Sequence, residues 1–330
     1  MKLQEMYQTA VRMGIEADPR GAEGVERFLA TTRHRYEKLP DFVQAVYDEE
    51  EFSNPFSDTR VYVGEPDAEV TSLLAGIDMN VGEVLLADRL RERGRPVDAV
   101  YTHHPEGYGL SRLDAVMSVQ ADIWAALGVP IQAGERLIDE RRDEVRYRLM
   151  PLNHTQAIDA ARLLGIPFFS AHTPTDNLVY RFLTRHFDEL QPLLIGDIRK
   201  ALYDISEYRQ AARIGDGPSI PDGSAEKRAG KVIVDMTGGT EGPVAAIEKL
   251  AEQGVGTIVG MHMGKELREA AEEHHIHVVI AGHMASDSIG INLLLDEYER
   301  QGVAIIPTSG LIRVRRAADG VTVLDEQGAG

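Results

Sequence analysis

From residue 60 onward, short runs of β-branched and leucine residues alternate with longer amphipathic stretches, and this alternation leaves few folds open. Runs of four to six apolar residues fit strands buried on both faces, and the stretches between them fit covering helices, so a mainly parallel sheet is expected. The expected strands span 60–63, 72–77, 98–102, 167–171, 231–235, 257–260 and 277–281. The segment 215–224, Gly-Asp-Gly-Pro-Ser-Ile-Pro-Asp-Gly-Ser, breaks both helix and strand and divides the pattern into two α/β lobes. The first fifty or so residues differ: Met6, Ala10, Val11 and Ile15, then Val25, Phe28 and Leu29, recur at helical spacing before the acidic run Asp48-Glu49-Glu50-Glu51. The expected organisation is an N-terminal helical extension over 1–58, serving as a cap or an oligomer arm. A first α/β lobe follows over 59–190, a helical and linker connection over 191–228, and a second α/β lobe over 229–330.

Composition narrows the chemistry. The chain has no cysteine, so disulfides and thiolate metal sites are excluded and any bound metal must be held by nitrogen and oxygen. A formal net charge of −18 opposes general affinity for nucleic acid or an anionic membrane, which needs clustered Lys and Arg. Small molecules and divalent cations are the expected partners. The N-terminus lacks the apolar run of a signal peptide, and no stretch is long enough to span a bilayer, which reads as a cytoplasmic protein.

In an open α/β sheet functional groups collect where strands end, and three strand ends here carry metal-ligand chemistry. The first is Thr102-His103-His104-Pro105. Neighbouring side chains on a regular strand point to opposite faces, so both imidazoles reach one site only if the backbone turns, which Pro105 favours. The second is Ala171-His172-Thr173-Pro174-Thr175-Asp176, a polar turn opening a helix with Thr173 as expected N-cap and Asp176 in the first turn. His172 is either a ligand or a hydrogen-bonding partner that orients one, and ranks below Asp176. The third is Gly282-His283-Met284-Ala285-Ser286-Asp287. If the helix begins by His283, that residue and Asp287 share a face and can converge on a cation. Each signal alone has an ordinary structural explanation, a solvated loop or a helix cap with a first-turn acid, but their coincidence at one sheet edge favours a site.

Three histidines and two aspartates exceed the demand of one tetrahedral Zn²⁺. They suit two divalent cations about 3.5–4 Å apart, bridged by a carboxylate or water, with Zn, Fe or Mn fitting these donors best. Two other features rank lower. The run Asp235-Met236-Thr237-Gly238-Gly239-Thr240-Glu241-Gly242 reads as a strand, a glycine turn and a helix able to bind a phosphate or merely to turn tightly. His262, also after a strand, is a candidate catalytic base or proton relay, although packing is the commoner reason for such a residue.

The motifs His103-His104-Pro105, Ala171-His172-Thr173 with Asp176, and Gly282-His283 with Asp287, taken in this order, resemble those of the Nif-three-like family of dinuclear-metal proteins, often labelled GTP cyclohydrolase type-two homologues. The resemblance covers roughly 60–187 and 228–310. It implies a metal set of His103, His104, Asp176, His283 and Asp287, a toroidal homo-hexamer, and GTP as substrate by family label alone. This chain departs from the family by having Asp287 where Glu is usual, which shortens that arm by one methylene, and Thr173-Pro174-Thr175 in place of a more usual Asn-Leu before the Asp. Two functions follow as expectations. One is a metal-dependent hydrolase using a metal-activated water on a small substrate, for instance a nucleotide or phosphorylated compound. The alternative is a non-catalytic metal-binding, metal-delivery or regulatory protein acting through protein partners.

Overall fold

A computed structural model describes residues 1–221, 225–317 and 320–324. Among the described residues, ten strands form two mainly parallel sheets and a hairpin. The first sheet holds β1 (Val61–Val63), β2 (Ser72–Gly76), β3 (Ala99–Thr102), β4 (Phe168–Ser170) and, from far along the chain, β8 (Ala304–Pro307). Its order is β1-β4-β3-β2-β8, with only β1 antiparallel to its neighbour. The second sheet is parallel, β5 (Lys231–Asp235), β6 (Val255–Gly260) and β7 (His277–Ile280), in that order, and β9 (Val314–Ala317) pairs with β10 (Gly320–Val323). The chain is therefore α/β with mainly parallel sheets and N-terminal helices, as its patterning predicts.

Both faces of the first sheet are buried, which is why its strands read as continuous apolar runs. Leu73, Tyr101 and Phe169 enter one core while their neighbours Leu74, Val100 and Phe168 enter another on the opposite face. Two long helices, Thr173–Leu190 and His283–Arg300, join the sheets. The first gives Leu178 to the core of the first sheet and Val179, Leu183 and Phe187 to that of the second, and the other divides Ile291, Leu294 and Leu295 from Ala285 and Ile289 in the same way. They cross at Gly290, where a Cβ would stand 2.1 Å from the Thr175 carbonyl oxygen, so only glycine permits the approach.

Packing contacts run between the segments in three places. The N-terminal helix Leu3–Ala17 is no appendage: Leu3, Met6 and Ala10 are fully buried in the core of the first sheet, and Tyr298 donates its hydroxyl to the Met6 carbonyl. Met117, Trp124, Ile138 and Val145, assigned by sequence to the first lobe, pack with Ile247 of the helix Ala246–Glu252 and with Ile258 and Val278 of the second sheet. Ala304–Pro307, assigned to the second lobe, returns to extend the first sheet beside β2. Sequence periodicity reveals which face of an element is apolar but not which of two sheets that face meets. The expected linker at 215–224 is partly tied down: Ser219 exchanges backbone hydrogen bonds of 2.9 and 3.0 Å with Ile280 at the edge of β7, while 222–224 lie outside the described residues.

Candidate metal centre

The backbone turn required to bring His103 and His104 together occurs immediately after β3. Their amide groups donate to the consecutive carbonyls of Gly76 and Ile77, at 3.0 and 2.9 Å, and their rings lie 5.0 Å apart on one side of the sheet. At the end of β4 the helix begins one residue earlier than expected, with His172 as N-cap and Thr173 as its first residue. The Thr173 hydroxyl is consequently spent not on capping but on Asp58. After β7, Gly282 takes φ 111°, a conformation that favours glycine, and the helix starts at His283, which puts Asp287 one turn further along the same face.

These turns gather all five expected residues, together with His172, around one point between the two long helices. His103 Nε2 lies 3.6 Å from both Asp176 Oδ1 and Asp287 Oδ1, and His104 Nε2 and His283 Nε2 lie 3.6 and 3.5 Å from Asp287 Oδ2. His172 Nε2 lies 3.7 Å from Asp176 Oδ2. Three overlapping sets have ligand atoms within 4.8 Å of one another: His103, His104 and His172; His104, His283 and Asp287; His103, Asp176 and Asp287.

The far nitrogen of several rings is held in place. His103 Nδ1 meets Thr175 Oγ1 at 2.9 Å, His104 Nδ1 meets Asp78 Oδ1 at 2.7 Å, and His172 Nδ1 meets Asp58 Oδ2 at 2.8 Å. Each Nε2 is thereby aimed inward, the arrangement by which proteins orient imidazole ligands. At the centre, His103 Nε2 and both oxygens of Asp287 are buried without a hydrogen-bond partner among the described residues. A carboxylate only 1% exposed and lacking donors is costly unless something else satisfies it, and a divalent cation among these nitrogen and oxygen donors would do so. The residues present thus fit a metal ion.

The electrostatics agree. Burial pushes His103 down to about 4 despite the Asp287 carboxylate, leaving a neutral ring with an inward lone pair. Burial opposes ionisation of Asp287, yet His103, His283 and His104 hold it below the usual carboxylate range. Burial, with Asp287 and Asp58 adding, raises Asp176 well above that range although His172 pulls the other way. Burial also works against a charged His172, but Asp176 and Asp58 outweigh it and push the ring up to about 9.

A cleft of about 60 Å³ opens onto this centre, bounded by His172, Asp176, His283 and Asp287 on one side and by Asp235, Thr237, Glu241 and His262 on the other. His262 stands over His283 with ring centres 4.7 Å apart, and its Nδ1 is 2.9 Å from Glu241 Oε1, which also accepts the Gly264 amide. The glycine turn does line the cleft, with Gly238 and Gly239 at φ 99° and 81°, but the next helix starts only at Ala246. It is therefore no helix N-terminus. Gln120 donates to its Gly238 and Thr240 carbonyls and Thr237 donates to Asn177, so the turn ties elements together. Sequence reasoning missed Asp58, Asp78, Thr175 and Glu241 as partners of the imidazoles, because each lies outside its histidine's own run of sequence or, for Thr175, belongs to a different strand end.

No model of a known protein family matches this chain, and no curated protein matches it. Among solved structures, a NIF3 superfamily protein from Sphaerobacter thermophilus is 24% identical over 94% of this chain and 99% of that one, with a TM-score of 0.73. The two share a fold. Reduced HcgD from Methanocaldococcus jannaschii is 17% identical over 81% of this chain and 94% of that one, with a TM-score of 0.46. A protein from Thermus thermophilus is 15% identical over 82% of this chain and 96% of that one, with a TM-score of 0.45. Among the described residues no helix is long and apolar enough to cross a membrane.

Proposed function

We propose that this chain is a NIF3-type dinuclear-metal protein that holds two divalent cations, Zn, Fe or Mn, through His103, His104, Asp176, His283 and Asp287, and that it acts as a metal-dependent hydrolase on a small substrate. The observation that carries the reading is Asp287, a buried carboxylate with no hydrogen-bond donor on either oxygen among the described residues, facing the Nε2 atoms of three histidines at 3.5–3.6 Å. Asp287 would be a ligand among these donors, and His172 is a further nitrogen available beside Asp176. Bound cations would supply Lewis acidity toward a carbonyl or phosphoryl oxygen and make a neighbouring water more acidic. His262, clamped by Glu241 across the cleft, would take up or deliver a proton at its Nε2. Asp78, Thr175 and Asp58 keep the ligand rings from rotating.

The substrate that suits this cleft is small. A volume of about 60 Å³ admits ions and a few water-sized groups, whereas ligand pockets typically run to several hundred Å³. A nucleotide would enter by one end only, and Asp235 and Glu241 would repel its phosphates. The same narrowness supports a second reading, a metal-binding or delivery protein that works through protein partners. Zn²⁺, Mn²⁺ or Fe²⁺-loaded protein assayed against small amides, cyclic ureides, phosphoesters and nucleotides separates the two. Metal-dependent turnover that is lost in His262→Ala supports the hydrolase, and full metal loading without turnover of any of them supports delivery. Assembly into a homo-hexamer belongs to the same proposal and is checked by light scattering of the eluted protein.

A further inference from the structure

We propose that Asp58 is a positioning residue of the metal centre, fixing the His172 ring with its Nε2 lone pair inward and so making the N-terminal segment part of the site. The inference rests on the metal reading above. Asp58 precedes β1, belongs to none of the strand-end motifs and is fully buried. Its Oδ2 accepts from His172 Nδ1 at 2.8 Å and from the Thr173 hydroxyl at 2.6 Å, and its Oδ1 accepts from the Thr59 hydroxyl at 3.2 Å. Among the described residues His172 is its only ion-pairing partner. A buried carboxylate without Lys or Arg is expensive to keep, and a merely structural acceptor in this place would need no charge. What a carboxylate does here is hold the proton of His172 on Nδ1, which leaves Nε2, 3.7 Å from Asp176, as the nitrogen offered to a cation.

The segment that carries Asp58 is rigid enough to aim it. Ser170 donates its hydroxyl to the Asp58 carbonyl, Ser57 donates to Arg112, and the His172 amide donates to the Thr59 hydroxyl. The guanidinium of Arg60, wholly buried, donates to the Phe56 and Thr59 carbonyls and to Asp48. Asn54 closes the loop by donating to Thr59. Residues 48–60 therefore act as a bracket whose one charged group facing the centre is Asp58.

The test is Co²⁺ binding, followed by titration and by the visible absorption of the bound ion, in wild type, Asp58→Asn, His172→Asn and the double variant. Wild-type uptake decides the metal reading by itself: no binding there sinks both that reading and this one. Given uptake, Asp58→Asn is expected to weaken Co²⁺ binding roughly 10–100-fold and to change the absorption spectrum. In the His172→Asn background the same change should cost nothing further. Unchanged affinity and spectrum in folded Asp58→Asn, or an equal loss when His172 is already gone, would overturn the proposal while leaving metal binding intact. If Asp58→Asn does not fold, Thr173→Val takes its place: it removes one hydrogen bond from the same oxygen and should weaken binding by a smaller, measurable factor, and no change would overturn the proposal.

Discussion

Asp287 carries the most informative chemistry of any single residue. Its carboxylate is 1% exposed and, among the described residues, has no hydrogen-bond donor on either oxygen, so a bound cation would offset the cost of burying it. Asp287→Asn should therefore lose the rise in melting temperature that Zn²⁺ gives the wild type, as scanning calorimetry would read. A variant whose melting temperature still rises with Zn²⁺ as far as the wild type's contradicts this account of the residue. The protons of the centre give a second expectation at this scale. His172, pushed up to about 9 by Asp176 and Asp58 against burial, carries a proton at neutral pH that a cation on Nε2 must displace. Metal uptake at pH 7 should then release protons, with release shrinking as the pH rises through 9. Calorimetric titration in buffers of different ionisation heat measures it, and zero release at pH 7 would exclude His172 from the ligand set.

The two long helices deliver the carboxylates, and their crossing sets the distance between Asp176 and Asp287. Gly290 has the Thr175 carbonyl oxygen where a methyl group would stand, so Gly290→Ala must push the helices apart directly below the ligands. Overpacking of this kind costs about 1–3 kcal/mol, and here it should weaken metal binding as well. Gly165→Ala, at a position with nothing within 4 Å, is the control: it should cost only the strain of its positive φ, about 1 kcal/mol, and leave metal affinity alone. Urea denaturation and metal titration of the two variants check this. Much of the element scale was legible in the sequence. The seven expected strands fall on β1–β7, because a doubly buried strand must be apolar throughout and the residues after it must be polar. The histidine and aspartate candidates were legible for the same reason. What was not legible is tertiary: β8 lies far from its partner β2 in sequence, residues 117–145 serve the sheet of the other lobe, and Asp58 meets His172 only once β1 has paired with β4.

At the scale of the whole molecule, both sheets and both long helices converge on one centre, so metal occupancy and folding should be linked. A cation bound only by the native state stabilises it by about 4 kcal/mol at a thousand times its dissociation constant. Unfolding should accordingly move to higher denaturant with Zn²⁺ and return on chelation, and His104→Ala should abolish the shift. The most direct measurement is anomalous scattering from crystals of the metal-loaded protein, collected above and below the absorption edge of the ion. This account predicts two anomalous peaks within bonding distance of Asp287, one sharing His103 and Asp176 and the other His104 and His283. Fully loaded crystals with no peak there, or with the ion bound only at surface acids, would contradict it.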